Sequence, residues 1–281
     1  MTSLIPITNT PRDYAWGAVD GVSRALGRPG SGGPEAELWL GAHPLSPSRR
    51  TTAGDWVDLA EWEASASQPL PFLLKVLAAA HPLSLQAHPT PEQAAAGFAR
   101  EDAAGIPLSA RERNYKDPHA KPELIVAVDD GFEALWLPAG NIHAYLRGTG
   151  VELMGPSDNV LRGGLTPKHV DRGELRTVLD FTPGPPPRLV PVEVSEHVVS
   201  YRPASTASGR DVDFELLLVT GDASFATGSP AIAVVLEGRF ALDTTDASAH
   251  LDRGDIVFVD APAALRASGS GRLFVATGTR A

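Results

Sequence analysis

The chain has 281 residues, and its 24 Lys and Arg against 34 Asp and Glu give a formal net charge of −10. Such an acidic chain lacks the basic surface that nucleic acids and anionic membranes require, so we expect neither as a partner. Hydrophobic residues make up 43% of the chain, and cysteine is absent. A buried core is therefore expected, whereas disulfides, thiolate metal sites and cysteine nucleophiles are excluded.

The beginning of the chain predicts neither an export signal nor a membrane anchor. Residues 1–17 contain no charged segment followed by an apolar one, and the longest apolar stretch, residues 70–80, is interrupted by Lys75. We therefore expect a cytoplasmic protein. With 27 Gly and 25 Pro, the composition favours a turn-rich β fold over a helical bundle.

The predicted elements are two short helices and many strands. Residues 55–65 and 90–100 each open with a capping residue, Asp55 or Thr90, and carry apolar residues at helical spacing. The later apolar runs are rich in β-branched and aromatic residues and are bounded by Gly, Pro or Asp, which is typical of strands. These runs cover residues 122–128, 132–140, 214–220, 231–238, 255–261 and 272–278. Many short strands predict a β sandwich or barrel.

A proline-rich segment divides the chain. Residues 182–188 (TPGPPPR) contain four prolines, and proline continues neither a helix nor a central strand. We therefore predict one domain at residues 1–181 and a second at residues 182–281, with helices mainly in the first half of the chain.

A candidate metal site combines two imidazoles, one carboxylate and one amide. Gln86 and His88 are two residues apart, so on a strand both side chains point to the same face. Glu123 and His143 each lie in an apolar strand context, where a titratable group is costly to bury without a partner. A shared divalent ion would be such a partner. Taken singly, each of these residues is better interpreted as structural, since a lone histidine near a strand end is usually a hydrogen-bonded structural residue.

Six motifs follow one another along the first part of the chain. They are YAWG (residues 14–17), AELWLGAHPLSPS (36–48), PFLLKVLAAAHPLSLQAHP (71–89), NYKDPHAKPE (114–123), LPAGNIHAYLRGTGVELM (137–154) and SDNVLRGGLTPKHVD (157–171). In this order they resemble type I mannose-6-phosphate isomerase, a family of the cupin superfamily. The resemblance implies a mainly β double-cupin fold, with an N-terminal catalytic jelly roll, a C-terminal cupin-like unit and a few short helices in the N-terminal half. It also implies a zinc-dependent aldose–ketose isomerase that interconverts mannose 6-phosphate and fructose 6-phosphate through an enediol or enediolate.

The resemblance assigns roles to individual residues. The metal ligands of the family fall on Gln86, His88, Glu123 and His143, which implies one Zn²⁺ per chain, although the ligand types also suit Mn²⁺, Fe²⁺ and Co²⁺. The catalytic residues fall on Arg162, Asp158 and Lys121, and the substrate-binding residues fall on Lys75, Ser84 and Lys168. Arg162 would stabilise the enediolate, and Asp158 would act as the base or orient it. The expected partner is a sugar phosphate, bound by a monomer.

The alternative for the basic residues is that they only keep the surface soluble. This alternative is weak for Lys75, which lies among apolar residues, and as good as the functional interpretation for Lys168.

Two departures from the family pattern affect the mechanism. Many relatives have a histidine directly before the lysine of KPE, whereas this chain has Ala120 there and His119 one position earlier. Family members usually also carry a helical insertion between the strand that begins FEAL and the strand that ends in LPAG, but here DDGFEAL continues directly into WLPAG. A turn at Asp129, Asp130 and Gly131 would join the two flanking strands as a hairpin.

Three functions compete. The first is an active isomerase, and the second is a catalytically impaired cupin that binds metal and sugar phosphate but has lost the helical domain. The third is an iron-dependent cupin oxygenase, which the set of lysines and arginine for phosphate disfavours.

Overall fold

A computed structural model describes residues 2–66, 69–129, 133–209 and 211–280. Within them the chain is mainly antiparallel β structure with few helices, which confirms the predicted class. The N-terminal strands are β1 (Leu4–Thr8), β2 (Glu37–Leu40), β3 (Arg49–Arg50), β4 (Leu73–Ala79), β5 (Leu85–Ala87), β6 (Glu123–Ala127), β7 (Ala134–Leu137), β8 (Gly148–Met154) and β9 (Leu161–Gly164). The C-terminal strands are β10 (Val192–Ser195), β11 (Val198–Tyr201), β12 (Phe214–Val219), β13 (Ala223–Ala226), β14 (Ala231–Asp243), β15 (Ser248–Asp252), β16 (Ile256–Val259) and β17 (Ala264–Gly278).

The α-helices of the described residues all precede the proline-rich segment. They are α1 (Gly21–Leu26), α2 (Leu59–Ala66), α3 (Pro91–Ala103) and α4 (Arg172–Val178). The start predicted for α3 is confirmed: Thr90 and Gln93 form a reciprocal capping box, and Pro91 occupies the first turn. The sequence reasoning missed α1 and α4.

The predicted start of α2 at Asp55 is wrong. The helix begins at Leu59, because the carboxylate of Asp58 accepts hydrogen bonds from the amides of Ala60 and Glu61 and so provides the N-cap. The residues just before the helix are tied to β3 instead, since the amide of Arg50 donates to the carbonyl of Val57 at 3.1 Å and Asp58 forms an isolated bridge with Arg49.

The smaller main sheet has five strands in the order β2-β4-β8-β6-β7 and two different faces. Side chains alternate along each strand, so Leu38, Val76 and Val151 point to one side, where they are fully buried in the main core. Lys75 and Glu152, which pair across β4 and β8, point to the other side. These strands therefore carry charged groups away from the main core.

The larger sheet has ten strands, including β1 and β3 from the N-terminal part of the chain. One of its faces packs on the five-stranded sheet through residues such as Phe258 and Phe274. Its other face curls around a second core that contains Val235, Phe240 and Leu265. The interior of the C-terminal unit is thus filled by apolar side chains.

The predicted strands 231–238 and 272–278 are parts of longer strands. β14 and β17 pair from Ile232 opposite Ala276 to Asp243 opposite Arg266, and a bulge between Val235 and Glu237 interrupts the register. Gly238 follows the bulge with a φ of 73°, a conformation that favours glycine.

The end of the segment 182–188 lies against the edge of β7. The amide of Trp136 donates to the carbonyl of Pro187, and the amide of Leu189 donates to the carbonyl of Ala134. Proline keeps its carbonyl, which can accept a hydrogen bond from β7, but it lacks an amide hydrogen to donate. This segment can therefore cover the sheet edge, although it cannot continue as a regular strand. The division into domains at residues 1–181 and 182–281 stays a prediction. Strand β1, from the first of these predicted domains, pairs with β16, from the second.

The strands on either side of the predicted deletion pair with each other. β6 and β7 are antiparallel, with Glu123 opposite Leu137 and Val126 opposite Ala134. The predicted turn lies largely outside the described residues, because these include Asp129 but neither Asp130 nor Gly131. Among the helices that the structure describes, none has the length and apolar character needed to cross a membrane.

A buried carboxylate ties the C-terminal end of the chain to β12. Glu215 is fully buried and accepts hydrogen bonds from Arg202, Arg280 and Ser200. Burial alone would raise its pKa, but these donors and the two positive charges hold the pKa of Glu215 below its ordinary value.

We expect Glu215→Gln to lower the free energy of unfolding at pH 7 by about 3 kcal/mol at most, because the two arginines that lose their partner remain partly exposed. A carboxyl group with a lowered pKa stabilises the fold above its unfolded-state pKa, and this contribution is lost as pH falls toward the folded-state value. The difference between variant and parent should therefore shrink in acid. Urea unfolding at several pH values measures this difference. Asp252→Asn is the control, because it removes an exposed ion pair with Arg239. The control should lower the free energy of unfolding by only about 0–1 kcal/mol. A pH-independent difference would contradict this account.

Candidate metal centre and substrate pocket

The strands β5 and β9 and the loop after β7 each place one side chain on a common surface. The amide of Gln86 donates to the carbonyl of His143 and the amide of His143 donates to the carbonyl of Gln86, each at 2.9 Å. On its other side Gln86 pairs with Arg162 in β9. Directly opposite residues of an antiparallel pair project to the same side. The side chains of Gln86, His143 and Arg162 are therefore neighbours.

Two histidines and one glutamate converge beside this surface. The Nε2 atom of His88 lies 3.1 Å from Oε2 of Glu123, and Nε2 of His143 lies 3.6 Å from the same oxygen. The ligand atoms of the three residues all lie within 4.8 Å of one another. Atoms that share a zinc ion at about 2.0–2.2 Å lie about 3–4 Å apart, so the spacing suits a single ion.

The protonation state of both imidazoles leaves a lone pair on each Nε2 atom, on the side of the carboxylate. Nδ1 of His88 donates to the carbonyl of Asn159 at 2.9 Å, and Nδ1 of His143 donates to the carbonyl of Asn141 at 3.1 Å. Each Nε2 of the neutral ring is then an acceptor. Nε2 of His88 and Oε2 of Glu123 are buried and have no hydrogen-bond partner within the described residues. Two buried acceptors that face each other need a cation between them, and these residues fit a divalent metal.

The electrostatics of the cluster favour the charge states that bind metal. Burial lowers the pKa of the His88 imidazole, which keeps it neutral. Burial alone would raise the pKa of Glu123, but the pKa lies well below its ordinary value, and the positive charge of Lys121 beside Oε1 helps to keep the carboxylate ionised. A neutral imidazole and a carboxylate are the forms that coordinate zinc.

The predicted residues Gln86, Ser84 and Lys121 surround this cluster. Nε2 of Gln86 lies 3.3 Å from Nε2 of His143, and Oε1 of Gln86 accepts a hydrogen bond from Ser84 at 3.3 Å. Rotation of the amide by 180° would present its oxygen to the cluster instead. Nζ of Lys121 lies 2.8 Å from Oε1 of Glu123, so it satisfies the oxygen that does not face the histidines.

Lys75 lies in a buried network that sequence reasoning found only in part. Its Nζ lies 3.0 Å from Oε2 of Glu152 and 3.7 Å from Oε1 of Glu37, while the hydroxyl of Tyr145 donates to Oε1 of Glu152 at 2.8 Å. Burial opposes the charge of Lys75, but these carboxylates raise its pKa above the ordinary value. Glu37 and Glu152 are single acids in apolar strands, and this pattern could have identified them.

Asp158 has a histidine partner that sequence reasoning did not assign. Nε2 of His43 lies 3.2 Å from Oδ1 of Asp158, and Nδ1 of His43 accepts the amide hydrogen of Leu45 at 3.2 Å. The proton of the neutral ring is therefore on Nε2, which donates to Asp158. This hydrogen bond is the main cause of the lowered pKa of the Asp158 carboxyl, which is 48% exposed.

Arg162 and Lys168 lie near Asp158 without direct contact. Burial lowers the pKa of Arg162, and the charge of Asp158 opposes this effect. Burial and the nearby charge of Arg162 lower the pKa of Lys168, whose Nζ lies 5.9 Å from the centre of the Tyr14 ring. Arg162, Lys168 and Asp158 therefore belong to one electrostatic region, although the described residues give no hydrogen bond between them.

The side chain of Asn159 organises the loop that departs from the family pattern. Its amide nitrogen donates to the carbonyls of Asp117 and His119, and its oxygen accepts the amide hydrogen of Lys116. His119 is exposed, whereas Lys121 is buried. The loop thus turns Lys121 toward the metal cluster and His119 toward solvent.

Comparisons with known proteins give one family. A model of the family "Phosphomannose isomerase type I, catalytic domain" matches residues 4–137. The mannose-6-phosphate isomerase of Salmonella typhimurium is 30% identical over 393 residues, covering 95% of this chain and 97% of the relative. The enzyme of Escherichia coli is 30% identical over 384 residues with the same coverage. A solved structure of the Salmonella enzyme, described as bound to substrate (f6p) and zinc, has a TM-score of 0.85 at 29% identity and covers 99% of this chain and 100% of that one.

The length of these alignments bears on the missing insertion. The alignment to the Salmonella relative spans 393 positions, whereas this chain has 281 residues, so long stretches of the relative have no counterpart here. The predicted place of the deletion, between β6 and β7, stays a prediction. The aligned region nevertheless reaches almost from end to end of both chains. The chain belongs to the type I mannose-6-phosphate isomerase family.

Proposed function

We propose that the chain interconverts mannose 6-phosphate and fructose 6-phosphate through an enediol or enediolate, with one zinc ion held by Gln86, His88, Glu123 and His143. The observation that carries the proposal is the pair of buried acceptors, Nε2 of His88 and Oε2 of Glu123, which face each other at 3.1 Å without a hydrogen bond. The Salmonella relative, whose solved structure holds f6p and zinc, supports the substrate and the metal. A cytoplasmic location and a monomeric state stay predictions.

The reaction moves a proton between C1 and C2 of the sugar and places negative charge on the oxygens at those carbons. A bound zinc ion would polarise the carbonyl and stabilise that charge. Arg162, opposite Gln86 in the β5–β9 pair, is placed to donate hydrogen bonds to the same oxygens. Asp158 is an ionised, half-exposed carboxylate that can accept and return the proton, and His43 orients it.

The phosphate group needs positive charge that is not already paired. Lys75 is held by Glu152 and Glu37, so we assign it, with Ser84, to the sugar end of the pocket. Lys168 is exposed and Arg162 lies near it. We assign the phosphate to Lys168, with Arg162 between phosphate and sugar.

Lys121 is expected to act on the metal through Glu123. It pairs with Oε1 of Glu123 at 2.8 Å and so fixes the orientation of the ligand oxygen. Loss of a partner of this kind typically weakens metal affinity about 10–100-fold. Lys121→Gln should show this weakening in a titration of zinc against a competing chelator. Lys116→Gln, in the same loop but paired with the carbonyls of Leu108 and Ala110, is the control. Unchanged affinity in Lys121→Gln would remove Lys121 from the metal site.

An enediol intermediate is tested by turnover in D₂O. When fructose 6-phosphate is converted over many turnovers, a proton held on a side chain exchanges with solvent, so deuterium should accumulate at C2 of mannose 6-phosphate. NMR of the product measures it. Product without deuterium would contradict proton transfer by the half-exposed carboxylate of Asp158.

The second candidate, an impaired cupin that binds metal and sugar phosphate, is favoured by the shortness of this chain relative to its 393-position alignment. It predicts that the zinc-loaded chain binds fructose 6-phosphate in calorimetry but shows no turnover in the coupled assay. Turnover by the zinc-loaded chain excludes it.

A further inference from the structure

A cavity of about 520 Å³ lies where α1, the ends of β4 and β8 and the C-terminal sheet meet. Its floor and walls include small residues such as Ala78, Ala79 and Gly148. Its charged lining is strongly basic. The arginines are Arg24, Arg147, Arg253 and Arg272, and the one acid among the described lining residues is Asp129.

This cavity is separate from the metal centre. The two have no lining residue in common. Along the β4–β8 ladder, the cavity lies at the pair Ala79 and Gly148, four residues from the pair Lys75 and Glu152. At about 3.3 Å per residue this separation is about 13 Å. The buried side chain of Leu77 lies between the two positions, in an apolar cluster with Leu83.

Two of the arginines are held by the fold. Arg253 donates to the carbonyls of Arg24 and Ala25 at the end of α1. Arg272 pairs with Glu237 at 2.7 Å and donates to the carbonyl of Val128. Both are thereby fixed at the cavity wall, and they bring charge from the C-terminal sheet.

The other two arginines are available for a ligand. Arg24 and Arg147 are exposed, and neither has a carboxylate partner among the residues that the structure describes. The carboxylate of Asp129 already accepts the amide hydrogen of Thr149 at 2.6 Å. With Arg272 paired to Glu237, the cavity keeps three arginines that have no carboxylate partner in the described part of the chain, against one acid, although the whole chain has a net charge of −10. Such a local excess of arginine attracts anions.

We propose that this cavity is a second binding site, distinct from the substrate pocket, for the phosphate group of a small phosphorylated metabolite. Arg24 and Arg147 bind the phosphate oxygens, because the guanidinium fork matches phosphate in geometry and charge. The volume lies within the range of about 300–1,000 Å³ that is usual for small-molecule sites. Since residues from both parts of the chain line the cavity, a bound ligand also joins them. The proposal does not depend on the isomerase activity.

The test is arginine labelling of the intact protein with phenylglyoxal, read residue by residue by peptide mass spectrometry. Labelling rates are compared in inorganic phosphate and in chloride of equal ionic strength. Phosphate should slow the labelling of Arg24 and Arg147 but not of Arg239, whose side chain is 85% exposed and lies in the β14–β15 hairpin. Labelling of Arg162 measures phosphate binding in the substrate pocket. The result for the cavity can therefore be judged whether or not phosphate binds in the substrate pocket.

Arg147→Gln should raise the phosphate concentration that protects Arg24 by about tenfold or more, since one charge-assisted hydrogen bond contributes at least that factor. Equal labelling of Arg24 and Arg147 in phosphate and chloride would overturn the proposal. Equal protection of Arg239 would also overturn it, because the effect would then be a general effect of phosphate.

Discussion

Replacing His143 by alanine should remove most of the bound zinc and reduce turnover of fructose 6-phosphate on the order of a thousandfold. The imidazole Nε2 of His143 lies 3.6 Å from Oε2 of Glu123, and its Nδ1 is held by the carbonyl of Asn141. The remaining donors are one imidazole, one carboxylate and the neutral amide of Gln86, which hold zinc poorly. Loss of the metal's stabilisation of charge in the transition state amounts to several kcal/mol.

Elemental analysis of the purified variant, together with a coupled assay, measures both effects. His250→Ala is the matched control, because His250 is exposed on β15 and outside the metal cluster. Circular dichroism should show that both variants are folded. If His143→Ala retains one zinc per chain, His143 is not a ligand.

Replacing Arg162 by alanine should lower kcat about a hundredfold or more, with a smaller change in KM. Arg162 lies opposite Gln86 and is half-buried, where a hydrogen bond to a developing oxyanion is strong. An interaction made mainly in the transition state lowers kcat and kcat/KM together, whereas uniform phosphate binding appears in KM. Arg162→Lys should remain slow, because lysine keeps the charge but loses the planar fork.

Steady-state kinetics with fructose 6-phosphate separates the two roles. Arg176→Lys, at an exposed arginine of α4, controls for the substitution itself and should leave both constants unchanged. A variant Arg162→Ala with a raised KM and a kcat near that of the parent would assign Arg162 to the phosphate site.

The sequence predicted correctly those features that depend on residues close together in the chain. Gln86 and His88 are two residues apart on an extended segment, so strand parity alone predicted their common face. The start of α3 was predicted from its capping residues, which also lie within a few positions of one another. Family motifs then added Glu123 and His143, which the structure brings beside His88.

Contacts between distant segments could not be predicted in this way. His43 and Asp158 are 115 residues apart, and only the folded sheet brings them together. The partners of Lys75 come from β2 and β8, although a charge in an apolar strand indicated that it must have a partner. Helix α2 starts late because Asp58 competes with Asp55 as a cap, and tertiary contacts of the preceding residues decide between them.

The central claim is that the cluster of His88, Glu123 and His143 binds the zinc on which isomerase turnover depends. Removal of the metal by a chelator, followed by titration with zinc while turnover of fructose 6-phosphate is recorded, tests it most directly. We predict that turnover disappears with the metal and returns in full at one zinc per chain. Turnover that persists in the metal-free protein would contradict the claim.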